Sequence, residues 1–399
     1  MNNIRLEING ADEILESICD KAIRECFGDN PSEILLDRMW QELAALAYNH
    51  HSTDFIIAHE MVKCSRDQGY RVTARGGIGS LFVAFLLGIT EVCPINDEGV
   101  TEIIPEVFMG KDFRHDPEIA LNVAPEVIPD IITMLKCKFG EDSVIGAGVS
   151  IVDFNGTTKK GVHPGGIFIV PKGLDISNIT ELREDARKDG VRLMFTERHY
   201  KDVEKHLKKY DIFSKRELEL LYDLEDVTDY PINLITTDDC TVSEVMDRVG
   251  KEFFQRNEKE TLLFDFIQPH SIQDIMRILG FAQASFKEQS SGLTERPHYE
   301  ELRRYDLFCR DSFMNMLINA GIDVTMSYEI MKMGLCGKGI TEEMRIVMLT
   351  HDIPSDYIKL CEGINYLYPR SQIAAYALND WRLAYYYCYF REQYEVLNG

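Results

Sequence analysis

The stretch that most limits the architecture is YRVTARGGIGSLFVAFLLGIT, Tyr70 to Thr90. A short β-rich run turns through Gly76, Gly77 and Gly79 into a strongly apolar segment, which reads as strand, glycine loop and helix. Consecutive glycines let backbone N–H groups approach an anion, the N-terminus of the following helix favours negative charge, and Arg75 can pair with phosphate while Ser80 donates a hydrogen bond. The run is neither a Walker loop nor a GxGxxG fingerprint, so a plain tight turn competes with the phosphate reading. HPGG, His163 to Gly166, poses the same choice. His163 beside a ligand, framed by Gly165 and Gly166, stands against an ordinary turn before a strand at Ile167 to Val170.

A second strand is predicted in HDPEIALNV, His115 to Val123. Ile119, Leu121 and Val123 alternate as a buried face, and the opposite face carries Asp116 and Glu118, then Ala120 and Asn122. That face starts acidic and stops being so.

The remaining chain sorts into helices and a few strands. Amphipathic helices are expected over Ala11 to Phe27, Ser32 to Tyr48 and Thr53 to Gln68, the last ended by Gly69 in a left-handed cap. Another is expected near Pro125 to Phe139, and from about Ser214 the chain turns mainly helical. At 399 residues it exceeds the usual single core, so two units are expected, 1–213 and 214–399. Apolar residues make up 45% and charged residues 27%, a globular composition. There is no apolar run long enough for a membrane span and no signal-peptide pattern at the start, which predicts a cytoplasmic chain without membrane partners. Ten cysteines without a CxxC pair predict reduced thiols and no zinc.

A formal charge of −23 disfavours general DNA binding, which draws on lysines and arginines that displace counterions. Gatherings at Lys159-Lys160, Lys205 to Lys209 and Arg303-Arg304 read as solvated faces. His50-His51 with Ser52 and Asp54 suggests a metal site or triad but sits where a polar turn between helices suffices. Cys309-Arg310-Asp311, the aromatics Tyr385 to Tyr389 and the acidic run Glu217 to Asp229 read as structural.

Several long landmarks nevertheless stand in a familiar order: NGADEILES, DQGYRVTARGGIGSLFVAFLLGITEVCPI, PEIALNV, FGEDSVIGAG, HPGGIFIVP, KKYDIF, GKGITEEM and INYLYPRSQIAAYAL. From about residue 5 onward the chain resembles bacterial replicative DNA polymerase III alpha subunits of the PolC type, over palm and fingers. The resemblance implies an α+β fold. A polymerase-beta-like nucleotidyltransferase palm with mixed sheet and helices, lacking most of the thumb, is followed by a mainly α-helical fingers subdomain. In such palms three carboxylates hold two magnesium ions, which activate the primer hydroxyl and stabilise the leaving pyrophosphate. The family carries two of these acids at i and i+2 in a PDIDLNF pattern, side by side on one strand face. Here the corresponding positions are Glu118 and Ala120, and the third acid, in a KLDILG pattern, corresponds to Asp211. A methyl group cannot coordinate magnesium, so any metal held by Glu118 and Asp211 is expected to be weak. A two-residue slide of the strand would bring Asp116 and Glu118 into the acidic positions, but it would move every buried neighbour.

In the fingers the family's FPKAHA pattern becomes YPRSQIA, which puts Arg370 for lysine and Gln372 for histidine; Lys338 in GKGITEEM also falls in a nucleotide-facing segment. The family's cysteine-rich zinc insertion is not expected here, nor are its nuclease, PHP, OB and helix-hairpin-helix parts. The expectation is a chain whose polymerisation is lost and which acts as a nucleotide-responsive or replication-associated module. Its expected ligands are a weakly bound nucleoside triphosphate, weakly bound DNA and a protein partner in replication. The alternative is a minimal polymerase that uses Asp116, Glu118 and Asp211 with magnesium.

Overall fold

The computed structural model describes residues 6–95, 103–105, 117–152, 158–179, 182–188, 191–194, 203–204, 206–253, 258–286, 295–335 and 339–399. Two compact units emerge. The first comprises Met1–Cys93 with Asp116–Tyr222, the second Pro94–His115 with Asp223–Gly399. The division therefore differs from a single cut at residue 213. The segment after Cys93 belongs to the second unit, where the Ile104 N–H donates to buried Asp311 Oδ1 at 2.7 Å.

In the first unit, helices α1 (Ala11–Phe27), α2 (Glu33–Tyr48) and α3 (Ser52–Arg66) follow the predicted bounds to within a few residues. Leu15, Cys19 and Ile23 recur every four residues and form the buried stripe of α1, as helical period requires. Ser32 caps α2 by accepting from the Leu35 N–H at 3.5 Å, which satisfies one of the donors a helix start leaves open.

The glycine stretch gives strand β1 (Thr73–Ala74), a 3-10 turn over Gly76–Ser80 and a helix α4 of only 5 residues, Phe82–Leu86. The apolar run is thus longer than the helix made from it. Leu81 through Ala84 are buried because they enter the core, and apolarity here reports burial rather than helix length.

A seven-stranded sheet runs in the order β1-β2-β7-β4-β3-β6-β5. Its members are β2 (Ile119–Val123), β3 (Val144–Val152), β4 (Thr158–Ile169), β5 (Leu182–Lys188), β6 (Val191–Met194) and β7 (Lys209–Ser214). Helix α5 (Ile128–Phe139) follows β2. Every residue of β2 is buried, whereas alternation predicted one open face; an interior strand covered on both sides loses that signature. Strands β2 and β7 pair in parallel although more than eighty residues of sequence separate them.

The second unit is mainly helical, as predicted. Its long helix Arg370–Tyr389 is buried over most of its length. Trp381 Nε1 donates to Thr236 O at 2.9 Å, and Tyr386 Oη donates to Tyr230 O at 2.7 Å. The Tyr385–Tyr389 aromatics accordingly belong largely to packing. No helix among the described residues is long and apolar enough to cross a membrane.

Candidate functional site

The register of three strands builds one face of the sheet. Across the parallel β2–β7 ladder, Ala120 pairs with Asp211 and Asn122 with Phe213. Directly paired residues share a face, so Asp211 and Phe213 stand beside Ala120 and Asn122. Lys209 and Glu118 extend the two rows at the i−2 positions. On the far side of β7, Gly166 of β4 pairs with Asp211. On the far side of β2, Thr73 pairs with Asn122 and the Arg75 N–H donates to Ala120 O at 2.9 Å.

Asp211 is buried, 8% exposed. Lys209 Nζ stands 3.0 Å from its Oδ2 and 3.2 Å from Glu204 Oε1, while Oδ1 is buried and, among the described residues, has no hydrogen-bond partner. His163 Nδ1 lies 3.7 Å from that Oδ1. This is not a hydrogen bond, because Nδ1 accepts from the Gly166 N–H at 2.7 Å and from the Gly165 N–H at 3.3 Å. A neutral ring so held carries its proton on Nε2, and Nδ1 has none to give Asp211.

Both glycines of HPGG have packing reasons. A Cβ at Gly165 would lie 2.4 Å from Ile212 O, and one at Gly166 would lie 2.7 Å from His163 Nδ1. They permit the close approach of β4 to β7 and of the imidazole to its own turn.

Arg75 leaves β1 and reaches Phe213 on β7, its guanidinium carbon 4.2 Å from the ring centroid. It therefore crosses β2 on the side where Ala120 offers only a methyl group. Glu118, exposed at the head of β2, approaches the loop: a Cβ at Gly76 would be 3.9 Å from its Oε2. Gly76 itself has φ of 73°, a conformation other residues reach only with strain. Gly77, Gly79 and Ser80 complete the turn, where Ser80 Oγ donates to Gly77 O at 2.6 Å.

The expected phosphate-binding helix N-terminus is corrected by Glu42 of α2. This buried carboxylate accepts from the Phe82 N–H at 3.1 Å and the Val83 N–H at 2.8 Å, and pairs with Arg38 Nε at 2.5 Å. The donors of α4 that an anion would use are already answered from within the core.

A buried tie holds β7 from the opposite face. Tyr210 Oη donates to Asp54 Oδ1 at 2.7 Å, and His51 Nδ1 lies 3.3 Å from Asp54 Oδ2. Among the described residues the polar turn at His50–Asp54 joins no group of three metal-binding side chains, and Asp54 is engaged by Tyr210 and His51. It anchors the strand that carries Asp211.

In the second unit, Arg370 Nη2 donates to Gln273 Oε1 at 2.8 Å, its guanidinium carbon lies 5.3 Å from the Phe308 centroid, and its N–H donates to Asp311 Oδ2 at 2.7 Å. Burial lowers its pKa to about 10. Gln372 Nε2 donates to Tyr376 Oη at 3.2 Å. Asp116 and Lys338 lie outside the described residues.

The magnesium pair implied by the resemblance can be tested against this donor set. Asp211 Oδ1 suits a cation, but the neighbouring position offers a methyl group, Lys209 already holds Oδ2, and no group of three metal-binding side chains stands together among the described residues. These residues do not fit a two-metal centre. Phe213, Glu42 and the partner of Asp54, Tyr210, escaped sequence reading, and Lys209, expected on a solvated face, is instead largely buried against Asp211. Only Lys209 left a signal there, two residues before Asp211 on the same strand face.

Comparison with known proteins agrees with the landmark motifs. The model of the bacterial DNA polymerase III alpha NTPase domain matches residues 13–153. DNA polymerase III PolC-type of Staphylococcus aureus is 26% identical, covering 95% of this chain and 32% of the relative. The protein of the same name from strain MW2 is 25% identical over the same shares. The chain thus spans about a third of the length of the curated relatives it matches. Along almost all of its own sequence the chain is similar to PolC-type DNA polymerase III.

Proposed function

We propose that this chain does not polymerise DNA and serves in the cytoplasm as a nucleotide-responsive, replication-associated module that has kept the PolC fold. The observation that carries this reading is the pairing of Ala120 with Asp211 across β2 and β7. Where the PolC pattern has a second strand acid beside the third, this chain has a methyl group, and two-metal transfer requires carboxylates that converge. Nucleoside triphosphate is the expected small ligand, held weakly by Arg75 with the 3-10 turn of Gly76–Ser80. A protein partner in replication completes the proposal.

Purified chain given primed template, all four nucleotides and magnesium or manganese is expected to leave the primer unextended. Template-dependent extension that Asp211→Ala abolishes would overturn the proposal in favour of a minimal polymerase using Asp116, Glu118 and Asp211; the unsatisfied Asp211 Oδ1 is the feature that favours that second reading. Duplex DNA should bind with a dissociation constant no tighter than about micromolar at physiological salt, the range of non-specific contacts. Nanomolar binding in a filter or anisotropy assay would contradict the proposed weak grip.

A further inference from the structure

We propose that the outward face of α2 is a docking surface for an amphipathic helix of a protein partner, one whose apolar stripe is flanked by lysine or arginine. This gives a surface and a chemistry to the protein partner proposed above and rests on that part of the reading alone.

Helix α2 has two faces of different character. Leu35, Met39, Leu43 and Leu46 turn into the core. On the other side Ile34, Asp37, Gln41, Ala44 and Tyr48 are exposed at successive steps of three and four residues. Such alternating steps keep a row of side chains on one side of a helix, the spacing by which a second helix packs alongside. Trp40 stands in the neighbouring row, one turn before Ala44. A solvated face carries charged and polar residues along its length, whereas this one is charged only at its N-terminal end and aromatic beyond it. Of the chain's two tryptophans, Trp381 is fully buried and Trp40 is 43% exposed; Tyr48 is 77% exposed. Neither Trp40 nor Tyr48 makes a hydrogen bond or ring contact with a described residue. Tryptophan and tyrosine are the side chains that most often anchor protein interfaces, and the small Ala44 between them lets a second helix come close.

Charge selects the occupant. Glu33 and Asp37 are exposed on this face and form no ion pair among the described residues, and Arg38, the one base of the helix, is turned onto Glu42 at 2.5 Å. Glu33 in the first turn suits the helix dipole, but Asp37 lies a turn further on, where that effect has faded. At a net charge of −23, a second copy brings acids against acids and nucleic acid brings phosphates. A helix with lysine or arginine opposite Glu33 and Asp37 brings complementary charge and leaves its apolar stripe to Trp40, Ala44 and Tyr48.

Labelled helical peptides of about four turns, with leucine at steps of three and four and either lysine or glutamate on the flanks, are titrated with the full chain by fluorescence anisotropy. The lysine peptide is expected to bind and the glutamate peptide is not. Trp40→Ala and Tyr48→Ala should each weaken the lysine peptide about tenfold or more, as truncation of an interface anchor does. Asp37→Asn should weaken it less and flatten its salt dependence. Glu342→Gln, which removes the same charge from an exposed position of the second unit, should leave it unchanged. All four positions are exposed, so the variants should match the parent in circular dichroism and melting temperature. Equal binding of both peptides overturns the basic occupant, and lysine-peptide binding that survives both Trp40→Ala and Tyr48→Ala overturns the assignment to this face. A parent that sediments as a dimer and a Trp40→Ala variant that sediments as a monomer would give the face to a second copy and overturn the proposal. No binding of the lysine peptide overturns it as well. None of these results bears on primer extension or nucleotide binding, so this inference can fail while those readings stand.

Discussion

Replacing Ala120 by aspartate tests the register of the sheet and the charge state of its face together. Neighbouring strands lie about 4.8 Å apart, so the new carboxylate would stand about 5 Å from that of Asp211, at a position where Ala120 is 4% exposed. Two like charges at that distance repel by about 3 kcal/mol at the effective dielectric of a protein site. Arg75, which crosses there, can turn back onto the new carboxylate and recover about 1 kcal/mol, as partly exposed ion pairs do. The net loss is about 2 kcal/mol, a fall in melting temperature of about 4–8 °C for a unit of this size. Millimolar manganese should restore the variant and leave the parent unmoved, because only the variant holds two carboxylates side by side. Differential scanning fluorimetry in EDTA and in manganese reads both effects. A variant as stable as the parent in EDTA and indifferent to manganese would show that residue 120 does not face Asp211.

Glu42→Ala removes a buried carboxylate from Arg38 and from two helix amides and should cost about 3–5 kcal/mol in urea unfolding; a loss under 1 kcal/mol, on the order of a surface substitution, would contradict the internal cap. Burial alone would raise the pKa of Asp54, but the hydrogen bonds of His51 and Tyr210 and the charge of Lys208 hold it below the usual carboxylate range. A depressed folded pKa contributes stability that is present above the unfolded value of about 3.9 and lost as pH falls through the folded one. The parent should therefore lose melting temperature more steeply than Asp54→Asn below about pH 4, and parallel profiles would remove Asp54 from the acid response. Exposed Cys137 and Cys240 should react at once with a thiol reagent. Cys19, pushed up to about 12 by burial with Glu42 nearby, and the buried Cys309 and Cys361 should react only on unfolding. Native-state mass spectrometry showing Cys19 modified as fast as Cys240 would refute that ranking.

Local signals carried the first three helices. Leu15, Cys19 and Ile23 mark α1, Ser32 caps α2 and Gly69, with φ of 87°, closes the turn after α3. Ala120 as the altered position was legible through the motif order, because strand periodicity places i and i+2 on one face whatever the rest of the chain does. What periodicity cannot carry is pairing between distant segments. That Asp211 faces Ala120 depends on a β2–β7 ladder closed across some ninety residues, and that Arg75 reaches Phe213 depends on β2 lying between their strands. The fate of the α4 N-terminus was hidden for the same reason, since its partner Glu42 comes from a helix forty residues earlier in the chain. Glycine is ambiguous in HPGG: at Gly165 and Gly166 its small size serves the contact with Ile212 and His163, a reason no sequence pattern displays.

The assignment of residues 94–115 to the second unit bears on how the molecule can be taken apart. A fragment starting at Asp223 would contain Asp311 and Arg370 but not Ile104, leaving one oxygen of a buried carboxylate without its backbone donor. Each half is therefore discontinuous in sequence, and neither is obtained whole by truncation at a single point. Dissection of this chain calls for a complementation design, in which 94–115 is supplied in trans or grafted onto the helical half, and a nick by protease between Cys93 and Pro94 should leave residues 1–93 held to 116–222 through the core of the first unit.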